Sequence, residues 1–122
     1  TDQVYNALFD CESGEVTRLC QDRALSIEDL FTELAETPAY REKKIVFAGD
    51  GARLCFDRLQ GRLEARLAPE LLRYQKASNV AFAALRKAEN GLLLTASELM
   101  PVYLRLPQAT RELNKRKGAS QQ

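Results

Sequence analysis

Histidine and tryptophan are both missing from this sequence, and methionine occurs once. Without histidine there is no imidazole general base, no Ser-His or Cys-His pair and no histidine-ligated metal. Four tyrosines and five phenylalanines are too few for a broad platform on which bases stack. Long apolar runs are absent too. Stretches such as Ile45-Val46-Phe47-Ala48 fall far short of a bilayer span. Nor does one charge sign dominate: 18 Lys and Arg face 17 Asp and Glu, a formal net charge of +1. No strong field toward nucleic acid or an anionic membrane follows from that balance.

What is present is the composition of a globular chain. Its 122 residues (13.7 kDa) are 45% hydrophobic and 29% charged, enough for one domain with one core. The cysteines are Cys11, Cys20 and Cys55, an odd number with no CxxC spacing. They read as free, buried thiols of a reducing compartment. The alternative, a reactive thiol, needs a Lys, an Arg or a helix terminus to lower its pKa. The opening Thr-Asp-Gln-Val-Tyr lacks an initiator Met and a basic n-region, so it is not a signal peptide. It reads as a cut through a longer chain.

Periodicity then gives the elements. Residues 4–10 are aromatic-rich and free of Gly and Pro, as a strand is, and residues 16–20 alternate as a second. Turn chemistry around Gly14 joins the two into a hairpin. Ser26 heads a capping box with Asp29 at the third position, and Ile27, Leu30, Phe31 and Leu34 form one helix face. Thr37-Pro38 ends that helix. After the charged residues 41–44, residues 45–48 fit a strand buried on both faces of a parallel sheet. Ala52, Cys55, Phe56 and Leu59 repeat the helical stripe, and Gly61 closes it. Residues 63–67 alternate as a near-edge strand with one wet face.

A third helix carries Ala77, Val80, Ala81, Ala84, Leu85 and Ala88 and stops at Asn90-Gly91. Its alanines imply close approach to a sheet or a helix. Residues 99–107 are Pro-punctuated and extended. Residues 110–122 form a polar end with Arg111, Lys115, Arg116 and Lys117 against Glu112, the last five unstructured. The order is β-β-α-β-α-β-α with an extended tail: an α/β domain over residues 1–109 with a mixed sheet and helices packed on it, then a basic tail over 110–122.

Chemistry is sparse. Gly49-Asp50-Gly51 lies between a strand and a helix, where backbone N–H groups and the helix dipole favour anions. It is neither GxGxxG nor GK[ST]. The other reading is a tight turn in which Asp50 caps the helix. The pairs Glu28/Asp29 and Glu33/Glu36 read as a solvated helix face, and Asp10 as a turn residue. The basic end reads as a solvated terminus, with contact to RNA phosphates as its alternative.

Four stretches together resemble the C-terminal half of the bacterial TsaB (YeaZ) family, a glycoprotease-like branch of the actin/sugar-kinase/chaperone superfamily. They are residues 3–9, Gln-Val-Tyr-Asn-Ala-Leu-Phe; residues 46–52, Val-Phe-Ala-Gly-Asp-Gly-Ala; residues 77–81, Ala-Ser-Asn-Val-Ala; and Pro101-Val102-Tyr103-Leu104-Arg105, followed by Pro107-Gln108-Ala109-Thr110-Arg111. The last is the most specific.

The resemblance implies an actin/RNase H-like fold and a family chain about twice as long, whose N-terminal domain would precede Thr1. It also implies a role, without catalysis and without a cofactor or metal, in forming threonylcarbamoyladenosine next to the tRNA anticodon. The partners would be a TsaD-like catalytic subunit and a TsaE-like ATPase in the cytoplasm, met mainly through that N-terminal domain, with tRNA reached indirectly and no membrane. In relatives, the loop corresponding to Gly49, Asp50 and Gly51 holds adenosine and phosphates. Here it departs from the Gly-Gly-x-x-x-Asn pattern, leaving these three residues as the candidate nucleotide loop. Two rival classes are a nucleotide-binding half-domain of an actin-like ATPase or sugar kinase, and a glycoprotease-type peptidase.

Overall fold

A computed structural model describes residues 2–105 and 108–119. The order is β1 (Gln3–Asn6), β2 (Phe9–Asp10), β3 (Thr17–Arg18), β4 (Arg23–Ser26), α1 (Ile27–Glu36), α2 (Pro38–Arg41), β5 (Ile45–Phe47), α3 (Ala52–Leu59), β6 (Ala65–Leu67), α4 (Glu70–Arg73), α5 (Ala77–Glu89) and α6 (Gln108–Ala119). The architecture is mixed α/β.

The expected hairpin is present but longer and broken. β2 pairs antiparallel with β3, while β1 pairs with β4 (Tyr5 opposite Ala24), a strand that the alternation did not reveal. In place of one mixed sheet, the described residues form three two-stranded ladders. The third is the expected parallel pair, β5 with β6. β5 is buried on one face only. Ile45 and Phe47 turn inward, whereas Val46 is 61% exposed.

Helix α1 forms where its cap and stripe dictate. The Asp29 N–H donates to Ser26 Oγ at 3.0 Å, and that hydroxyl donates to Asp29 Oδ2 at 2.7 Å. Ile27, Leu30 and Leu34 on α1 meet Cys55 and Leu59 on α3, and Val4, Leu8, Ile45 and Phe47 close the cluster. Leu59 is fully buried. Burial of side chains this size contributes about 1.5–3 kcal/mol each, so this cluster organises the region from β1 to β6.

Beyond residue 73 the expectations change most. Helix α5 starts and stops as its sequence indicates, with Gly91 at φ +71°, yet none of its residues is buried. Its alanine stripe, expected to be covered by a sheet or a helix, is exposed among the described residues. Of the last five residues, expected to be unstructured, Gly118 and Ala119 belong instead to α6, which makes the basic end helical over residues 108–119. Ser120, Gln121 and Gln122 lie outside the described residues, as do Thr1, Leu106 and Pro107. Residues 101–104 have no regular structure, as Pro101 dictates. Among the described residues, no helix is long and apolar enough to cross a membrane.

Candidate functional site

The parallel strand β5 runs into the glycine turn, which reverses the chain into α3. Gly49 has φ +103°, a conformation that side chains other than glycine's rarely adopt. Its N–H donates to the Arg73 carbonyl at 2.7 Å, and its carbonyl accepts from the Ala52 N–H at 3.1 Å. The Gly49 N–H, the donor that could have faced a phosphate, is thereby committed to the chain itself, as is the Ala52 N–H at the start of α3. Gly51 is the residue preceding α3 and caps it without a side chain. Asp50 therefore does not cap the helix; it stands exposed beside the turn. Gly51 also lies against β1, since a Cβ added there would meet Val4 Cγ1 at 3.4 Å.

All three loop residues line an open groove of about 1930 Å³. Its walls are residues 3–12 from β1 and β2, residues 43–52 from β5 and the glycine turn, and residues 102–105. The apolar wall includes Tyr5, Val46 and Val102, each more than half exposed. Its charges nearly cancel. Lys43, Lys44 and Arg105 stand among Asp10, Glu12, Asp22 and Asp50, and the Lys43 ammonium is bonded to Glu12 at 2.5 Å. That bond holds the Lys43 pKa above its usual value. The groove thus suits an apolar, extended or helical occupant better than a polyanion.

Of the remaining candidates, Asp10 lines the groove, whereas the acidic pairs of α1 lie outside it. Asp10 takes the turn role, its Oδ1 accepting from the Glu12 N–H at 2.9 Å. Glu28 and Asp29 are solvated, as expected. Glu33 is not: it is half-buried and takes a two-pronged hydrogen bond from Arg23, with Nη1 to Oε1 at 3.0 Å. Arg23 also donates from Nε to Asn6 Oδ1 at 3.0 Å, so one guanidinium ties β4 to both β1 and α1. Glu28 pairs across the surface with Arg62, at 2.9 Å through both oxygens. Arg62 in turn lies 3.9 Å from the Phe31 ring centroid.

Of the thiols, only Cys55 is fully buried, and burial pushes its pKa up. Cys20 Sγ accepts from the Leu8 N–H at 3.2 Å, while Cys11 is exposed, against the expectation of buried thiols. Among the described residues, no three His, Cys, Asp or Glu side chains gather to hold a metal ion. The groove wall at residues 102–105 escaped the reading of chemistry altogether, because apolar residues beside a proline carry no site signature. Its only signal was membership of the most specific family-like stretch.

Fold and groove together define an α/β domain with an open, apolar, near-neutral recess beside a strand-to-helix glycine turn. Compared with protein-family models, curated proteins and solved structures, the chain gives no match.

Proposed function

We propose that the chain is the C-terminal actin/RNase H-like domain of a TsaB-type subunit. In this reading it is a non-catalytic, cytoplasmic scaffold for threonylcarbamoyladenosine formation on tRNA, working with a TsaD-like catalytic subunit and a TsaE-like ATPase. One observation carries most of the support. Three of the four stretches that resemble the family, residues 3–9, 46–52 and the Val102–Arg105 part of the last, converge on the walls of one groove. Segments far apart in sequence share one concave surface here, the kind of recess in which ligands and partners bind. The groove's apolar, charge-balanced wall also suits a protein partner better than a phosphorylated substrate.

The test is genetic. Silencing the gene in its source cells and digesting total tRNA to nucleosides is expected to remove threonylcarbamoyladenosine, with recovery on re-expression. Unchanged levels of the nucleoside would refute the scaffold reading.

A nucleotide-binding half-domain of an actin-like ATPase or sugar kinase remains the rival, on the strength of the positive-φ turn after a parallel strand. Calorimetry with ATP and Mg²⁺ separates the two. The scaffold reading expects no heat of binding; saturable binding weakened by Gly49→Ala favours the rival.

A further inference from the structure

We propose that helix α6 binds the phosphate backbone of RNA directly. The net charge of +1 conceals a division along the chain. Four of the 18 cations, Arg111, Lys115, Arg116 and Lys117, lie in α6 with one of the 17 acids, Glu112. The helix therefore carries +3, and the 14 cations and 16 acids left elsewhere give −2. Residues 111–119 are all exposed. Among the described residues, Arg111, Lys115 and Lys117 join no ion pair. A field that averages to almost nothing over the whole chain is thus concentrated on one helix, open to a polyanion.

Composition and spacing select the partner. A helix that lies in a membrane interface, or docks in the groove of another protein, needs an apolar face. α6 has none, since Leu113 is its only large apolar residue. From Arg111 to Lys117 the helix rises about 9 Å. A nucleic-acid strand sets one phosphate about every 3.4 Å along its axis, so about three phosphates match that span. α6 carries no aromatic residue on which a base could stack, and side chains cannot read the narrow major groove of an RNA helix. The contact is therefore electrostatic and independent of base sequence.

The choice of RNA rests on the tRNA reading above. The contact itself goes beyond that reading, because it gives the scaffold a surface of its own for RNA. The two fail separately: one is read as binding, the other as a nucleoside.

Fluorescence anisotropy tests the contact, with the 122-residue chain and a labelled RNA duplex of about 20 base pairs. The expected Kd is on the order of 10⁻⁵ M at about 50 mM KCl. Neutralising about three phosphates gives a slope of about −2.7 for log affinity against log salt, a loss of about 40-fold between about 50 and 200 mM. Arg111→Gln/Lys115→Gln/Lys117→Gln keeps good helix formers and should bring that slope close to zero. Arg41→Gln/Arg53→Gln/Arg66→Gln removes as many exposed cations elsewhere and should leave the slope unchanged. Far-UV circular dichroism verifies that both variants stay folded. No saturable binding at about 50 mM KCl, equal losses in the two variants, or tighter binding to polyglutamate than to the duplex would each overturn the proposal.

Discussion

Helices α1 and α5 invite comparison, because both carry an apolar stripe at helical spacing, though only α1 has a side-chain cap at its start. α1 buries Ile27, Leu30 and Leu34 against α3 and the strands; α5, three residues longer, buries nothing. The stripes differ in content. Leucine and isoleucine on α1 fill space between elements, so burying them stabilises the helix and the core together. On α5, alanine dominates, and the larger Val80 and Leu85 face open solvent within the single chain. A stripe therefore says that a helix has a face to cover. It does not say that the cover lies in the same chain.

The widest gap between the two regions should appear on truncating one leucine in each. Leu59→Ala removes a fully buried side chain and should cost about 2–5 kcal/mol in urea unfolding. Leu85→Ala, at a position 56% exposed, should stay within about 0.5 kcal/mol. Equal losses at the two sites would erase the contrast.

Next in size is the glycine turn that connects the packed strands to α3. Gly49→Ala meets no steric neighbour, so its whole effect is backbone strain, about 1–2 kcal/mol in the same assay.

Glu33→Gln should cost about 1 kcal/mol, since it removes the carboxylate that Arg23 holds in two-pronged fashion between β4 and α1. Arg23 has its pKa raised by that hydrogen bond, so it stays charged throughout the accessible range.

The smallest effect belongs to the surface pair of Glu28 and Arg62. The hydrogen bond from Arg62 holds the Glu28 carboxyl below its usual 4.5. The ionised form is favoured in the folded chain, so its contribution is present above pH 4.5 and is lost as pH falls through the lowered folded value. Thermal melts of the wild type and Glu28→Gln should differ slightly at pH 7 and converge below pH 4.5. A gap that widens in acid would reverse the assignment.

Much of the packed region was legible from local chemistry. Ser26 with Asp29, Thr37-Pro38 and the two leucine-bearing stripes each announce a boundary or a face, because caps, prolines and helical spacing act within a few residues. The alternation at residues 63–67 likewise located β6. β4 was missed because Arg23-Ala24-Leu25-Ser26 is too short and mixed to declare a strand, and only pairing with β1 makes it one. The half-burial of Glu33 was illegible for a similar reason: its partner Arg23 is ten residues away on another element.

The candidate site was legible only in part. The strand, the turn and the helix start were placed correctly around Gly49, Asp50 and Gly51. The use of the Gly49 N–H by Arg73 was not, since it depends on a carbonyl 24 positions further along the chain. The groove itself was hidden, being the product of three distant segments, two of them apolar.

Amide hydrogen exchange followed by mass spectrometry bears most directly on the contrast between α1 and α5. In dilute protein, peptides covering residues 77–89 should exchange near the unprotected rate, while those covering residues 27–36 stay protected by several orders of magnitude. Protection of α5 equal to that of α1 would contradict the claim that α1 is held by the core while α5 buries no residue.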